Sequence, residues 1–152
     1  MLPKYHIIFS AIIILFLYSL FPLTPWQIAI IFLSSFIVDV DHYFYGIFKL
    51  KTFNLFEIKK WFMKNRSIWR EMNPKQKRKY KLSIIIFHGV EFWVLLLILA
   101  QFYKPVYFVL IGIFIHFFQD LIEMIQIQHP IYHKISFIYV LMTNKKKKEF
   151  NF

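Results

Sequence analysis

The sequence predicts an all-α integral membrane protein, a four-helix bundle with a basic interfacial amphipathic helix between spans two and three. Two observations predict it. Apolar residues make up 59% of the 152, in runs of about twenty that can each cross a hydrocarbon core of roughly 30 Å. Of the 19 Lys and Arg, 12 lie between Lys49 and Lys81, which makes that segment cytoplasmic by the positive-inside rule. A chain this short is one domain, 1–152. It has no cysteine, so a disulfide framework and a thiolate metal site are excluded.

Span one is expected over 5–21. Lys4 precedes it as in a signal peptide, but the following YSLFPLTPW offers no small-residue cleavage site, so the helix is expected to be retained. The PLTP turn (22–25) leads into span two, 26–48. Span three covers 82–103, Lys104 and Pro105 make a tight turn, and span four covers 106–127. The apolar piece Ile131–Met142 is too short to span and is expected at the interface or packed on the bundle. Four spans place both termini, and the basic tail 145–152, on the cytoplasmic side of a multi-pass cell (inner) membrane protein.

The cytoplasmic segment 49–81 has its own order. Leu55, Ile58, Phe62 and Trp69 fall at helical spacing, with Lys59, Lys60, Lys64, Arg66 and Arg70 between them. Asn54 fits an N-cap and Asn73-Pro74 a stop. Such a helix is expected to lie on anionic lipid headgroups through residues 54–72, each basic residue adding about 1 kcal/mol. The simpler alternative is a solvated loop that only fixes topology. The formal charge of +11 also raises nucleic acid as a partner, but no recognition fold fits between two membrane anchors here, so none is expected.

Ionisable residues inside spans cost roughly 2.5–3.5 kcal/mol each on insertion scales, and this chain carries many. They are His6 in span one; Asp39, Asp41 and His42 in span two; His88 and Glu91 in span three; His116, Asp120 and Glu123 in span four. Asp39/His42 and His88/Glu91 are spaced i, i+3, and His116/Asp120 i, i+4, so each pair shares a helix face. Asp41 falls off its pair's face, which calls for a distorted helix or an indirect role. Measured from the basic segments, the span-two, span-three and span-four sets all lie about 10 Å inside the cytoplasmic boundary, with His6 shallower. His, Asp and Glu together suit Zn²⁺, Mn²⁺ or Fe²⁺. Their number suits two divalent ions, zinc foremost, bridged by a carboxylate, and a metal's charge compensates the buried carboxylates. Each residue alone also fits a hydrogen-bonded helix contact. His129 and His133 are weaker candidates because Pro130 separates them. Gly112, one turn before His116, would let helices approach closely.

His6, D39-V-D-H42, H88-G-V-E91 and H116-F-F-Q-D120, in that order over most of the chain, resemble the membrane-bound metal-dependent hydrolase family of inner-membrane proteins, some of them LexA-regulated. More distantly, the helical His/Asp and His/Glu pairs resemble zinc-dependent phospholipase C. Where many family members carry HRG…THS, this chain has FHGVEFW, without the arginine that would clamp a phosphate. The resemblance implies metal-dependent hydrolysis of an ester or phosphoester of a lipid or lipid-linked substrate at the cytoplasmic face. His6, Asp39, His42, His88, His116 and Asp120 would be ligands. Asp41 would bridge metals or orient a histidine, and Glu91 would be a ligand or the general base. The alternatives are a metal-ion transporter, or a metal-binding membrane protein without hydrolase activity.

Overall fold

Capping chemistry places the helices of the computed structural model, which describes residues 3–150. Helix α1 (Pro3–Leu20) ends at the PLTP turn. Thr24 then opens α2 (Pro25–Ile37) with a reciprocal cap: its hydroxyl accepts from the Gln27 amide, and Gln27 Oε1 accepts from the Thr24 amide at 2.8 Å. Span two is not continuous. Val38 and Asp39 form a turn, and α3 (Val40–Leu50) resumes beyond it. The break follows Ser34 and Ser35, whose hydroxyls bond the carbonyls of Ile30 and Phe32 and loosen the ladder. The distortion that Asp41 called for is therefore present.

Asn54 caps α4 (Leu55–Glu71) by accepting from the amides of Phe56 and Glu57, and Asn73 starts α5 (Pro74–Lys77) with a second reciprocal cap. The third span departs from expectation. Residues 81–88 are not helical, and α6 (Val90–Phe102) begins only after Gly89. The run Ser83-Ile84-Ile85-Ile86 is poor in helix formers, because β-branched side chains lose rotamer freedom in a helix. Its backbone is held from outside. Asn144 accepts from the Leu82 amide at 3.0 Å and donates to the Leu82 carbonyl at 2.8 Å, while the Lys81 amide donates to the Lys148 carbonyl. After a turn, α7 (Val106–Gln126) runs 21 residues, followed by α8 (Tyr132–Ile135) and α9 (Phe137–Asn144). Among the described residues there is no strand beyond one bridge between Tyr80 and Lys148.

Among the described residues, two segments are long and apolar enough to cross a membrane, the kinked Pro25–Leu50 and Val106–Gln126; α1 and α6 are shorter. α2 and α7 form the central pair, with α1 against both and α6 against α7. Gly112 sets their approach: a Cβ there would strike Ser34 Oγ and the Ile31 carbonyl. Gly112→Val is expected to destabilise the protein by about 1–3 kcal/mol in denaturant unfolding. Ile14, Ile31 and Ile115 form one buried cluster and Val38, Leu96 and Ile113 another. The outward faces remain apolar, with Leu15 and Phe16 on α1, Ile98 and Leu99 on α6, and Phe118 and Ile125 on α7 all exposed.

The stripe of α4 turns inward rather than away from the protein. Ile58 is buried, packed where Gly46 leaves room, and Phe62 meets the His42 ring edge-on at 5.9 Å. Arg66 and Arg70 pair with Glu123. Leu55 and Phe56, with Phe48 and Phe53 just before them, stay exposed. The tail folds back: Glu149 bridges Lys49 and Lys81 at 2.8 and 2.7 Å, and Phe150 packs edge-on to Trp69 and Tyr80.

Candidate metal centre

The kink in span two, the non-helical segment 81–88 and α7 bring Asp39, His88, His116 and Asp120 together, each offering a donor atom within 4.8 Å of the others. His88, His116 and Asp120 are buried. The hydrogen bonds at the far ring atoms decide what the two histidines present. His116 Nδ1 donates to the Ser35 carbonyl at 2.8 Å, which the serine turn leaves pointing inward. His88 Nδ1 donates to Asp41 Oδ2 at 3.0 Å. In the neutral rings both Nε2 atoms therefore carry lone pairs, and these face one another at 3.0 Å.

Asp39 Oδ1 lies 3.5 Å from His88 Nε2 and 3.4 Å from His116 Nε2; Asp120 Oδ2 lies 3.4 and 3.1 Å from the same atoms. Ligands 2.0–2.2 Å from a tetrahedral zinc are about 3.3–3.6 Å apart along the edges. Acceptor atoms converging at such spacing are satisfied by a cation among them or by a proton on a ring nitrogen. His6 brings further unsatisfied atoms to the group. It is fully buried, stacked on His116 at 4.2 Å, and neither ring nitrogen has a hydrogen-bond partner among the described residues. Its Nε2 lies 3.6 Å from Asp120 Oδ1 and 4.0 Å from Asp39 Oδ2. The donor set thus fits a divalent ion.

Asp41 stands behind this group. Its Oδ2 accepts from the Phe87 amide at 3.1 Å as well as from His88, so it holds the backbone of segment 81–88 and the His88 ring together. His42 is at the edge, with Nε2 3.6 Å from Asp39 Oδ1. Asp41, His42 and His88 form a second group close enough to hold an ion.

Glu91 is placed elsewhere, which corrects the expectation of a ligand or general base. Because His88 precedes the helix, the two residues do not share a helix face. Glu91 accepts from the Ser136 hydroxyl and from the amides of Phe137 and Ile138, at the start of α9. Glu91→Ala is expected to leave metal content unchanged and to cost about 1–2 kcal/mol of stability, the range for a lost helix cap.

His129 and His133 also have other work. Trp69 Nε1 donates to His129 Nδ1 at 2.6 Å, His129 Nε2 donates to His133 Nδ1 at 2.6 Å, and His133 Nε2 donates to the Ser83 carbonyl at 2.8 Å. One direction of donation satisfies every atom, with both rings neutral. The chain of bonds ties α4 to segment 81–88. Burial, then the nearby Lys134 and Lys77, lowers the His129 pKa to about 3; burial and His129 hold His133 well below its ordinary value. A depressed histidine stabilises the fold fully above its unfolded pKa of about 6.5, and that contribution is lost as pH falls below it. His129→Asn is expected to lower the proton uptake that accompanies unfolding between about pH 6.5 and 5 by about one proton, read from unfolding against pH.

Lys134 was not among the residues singled out as ligands or catalysts. It is buried on α8, and its ammonium lies 2.9 Å from Asp120 Oδ2 and donates to His42 Nε2 at 2.9 Å. Burial opposes its charge, yet the Asp120 and Asp39 carboxylates hold its pKa above the usual lysine value. The signal in the sequence was a lone lysine early in the apolar run Ile131–Met142.

The site opens outward. The side chains of Asp39 and His42 are 23% and 28% exposed, against 3% or less for His6, His88, His116 and Asp120. Both line a cavity of about 440 Å³ between the cluster and α4, walled by Trp61, Phe62 and Trp69 and fringed by Lys59, Arg66 and Lys81. The Ile14–Ile31–Ile115 cluster packs α1, α2 and α7 together. No protein-family model, no curated protein and no solved structure matches the chain.

Proposed function

We propose that this protein is a membrane-embedded, metal-dependent hydrolase acting on an ester or phosphoester of a lipid or lipid-linked substrate. The observation that carries the reading is the convergence of Asp39, His88, His116 and Asp120 at tetrahedral spacing, beside a cavity with aromatic walls and a cationic fringe. His6, Asp39, His88, His116 and Asp120 would hold the ion, and Asp41 would fix the His88 ring. A divalent ion in such a site acidifies water and polarises the bond to be cleaved. With Glu91 away from the cavity, the members of the group that line it are Asp39, His42 and Asp120; His42 Nε2 already accepts from Lys134, so proton transfer would fall to Asp39, the more exposed carboxylate. Lys59, Arg66 and Lys81 favour an anionic group at the cavity, and its volume suits a headgroup rather than a whole lipid.

Membrane embedding rests on the exposed apolar faces of α1, α6 and α7, which exceed what a soluble monomer leaves in water. In this reading α1, α2–α3, α6 with its non-helical lead-in, and α7 make the four-helix bundle. Irregular backbone at membrane depth is tolerated where protein buries it, and Leu82, Ile85 and His88 of the lead-in are buried. Both termini and α4 are then cytoplasmic, with Phe48, Phe53, Leu55 and Phe56 as the apolar contact to lipid beside Lys59 and Lys60. The test is to incubate zinc-, manganese- and iron-loaded protein with phospholipids and soluble phosphomonoesters and phosphodiesters. Release of headgroup or phosphate, lost in His116→Ala, supports the reading; metal-loaded protein that leaves every substrate intact overturns it.

A further inference from the structure

We propose that the site is a one-metal centre in which the Lys134 ammonium takes the place of a second divalent ion. The proposal rests on the metal reading above and sharpens its ligand count. Of the second group, Asp41 Oδ2, His42 Nε2 and His88 Nδ1 are already engaged, which leaves Asp41 Oδ1 as its one carboxylate oxygen without a hydrogen-bond partner among the described residues. Asp41 Oδ2 accepts from the Phe87 amide and from His88 Nδ1. His42 Nε2 accepts from Lys134 at 2.9 Å, and the same ammonium lies 2.9 Å from Asp120 Oδ2. That oxygen is also the one that faces His88 and His116, at 3.4 and 3.1 Å. Lys134 therefore sits against the four-donor group as the neighbouring cation of a two-metal site would.

Charge points the same way. Asp39, Asp41 and Asp120 bring three negative charges to a group of which two members, Asp41 and Asp120, are buried, and buried Lys134 returns one positive charge. The remainder equals one divalent ion. Two divalent ions beside the ammonium would leave an uncompensated positive charge in low dielectric, which is costly. The assembly also explains why α8 and α9, outside the central helices, are held so closely: Glu91 caps α9 and His133 bonds the Ser83 carbonyl, on either side of Lys134.

The test is metal stoichiometry and affinity on the full chain in detergent, with Zn²⁺ as the probe. Wild-type protein is expected to bind one ion per chain at saturation. Lys134→Met removes a like charge beside the ion and is expected to tighten zinc binding by about tenfold or more, or to admit a second ion. Two ions per wild-type chain would overturn the proposal, and so would weaker zinc binding by folded Lys134→Met. If that variant does not fold, the wild-type count alone decides between one ion and two. No specific zinc in the wild type would instead sink the metal centre itself, a separate and recognisable failure.

Discussion

Replacing Asp120 with alanine is expected to abolish specific metal binding and to destabilise the protein by about 3–5 kcal/mol. Two effects combine at one residue. The substitution removes a ligand whose Oδ2 faces both His88 and His116. It also strips the buried Lys134 ammonium of its nearest carboxylate, at 2.9 Å. Breaking a buried ion pair from one side leaves a desolvated charge behind, and the quoted range is typical of that loss. The two effects separate in a double variant. Asp120→Ala with Lys134→Met lacks the orphaned ammonium, so most of the stability should return while metal binding stays lost. Denaturant unfolding and metal analysis of the three proteins check both parts. If Asp120→Ala costs under 1 kcal/mol, Lys134 is not held as described.

Asp41→Asn is expected to weaken zinc binding by about 10–100-fold while the fold survives. Carboxylates that orient a ligating histidine typically contribute that much. Asp41 accepts from the His88 ring and from the Phe87 amide together. An asparagine oxygen in the place of Oδ2 can still accept both bonds, but it carries no charge. The His88 ring would then lose the charge that keeps its Nδ1 protonated and its Nε2 free. Zinc titration against a chelator of known affinity gives the shift. An unchanged affinity would place His88 outside the metal shell.

Much of the site was legible in the sequence because polar residues in apolar segments are expensive and so stand out. His6, Asp39, His88, His116 and Asp120 were visible on that ground alone, and the structure gathers them. The capping residues Asn54 and Asn73 were equally readable. The misreadings share one cause. Residues 82–103 look like a single apolar span, yet only those from Val90 are helical. A periodicity argument cannot separate a helix from a buried extended segment when every residue is apolar. Glu91 was therefore paired with His88 across a helix face that does not exist. In the sequence Lys134 is one of 19 basic residues, with nothing beside it to mark it out. Its burial follows from how α8 folds onto the cluster, a long-range packing event with no local signature. The apolar stripe of α4 was recognised, but spacing alone does not say whether lipid or protein covers it; Gly46 makes room for Ile58 there.

The central claim is a divalent ion held by nitrogen and oxygen ligands at the junction of the kinked span two, the non-helical segment 81–88 and α7. X-ray absorption at the zinc edge, on purified protein equilibrated with zinc and then freed of excess, tests it most directly. The account predicts a shell of nitrogen and oxygen at about 2.0–2.2 Å, with the outer scattering of at least two imidazoles, lost in His88→Ala/His116→Ala. Zinc that washes away, or that is surrounded only by water oxygens, would contradict it.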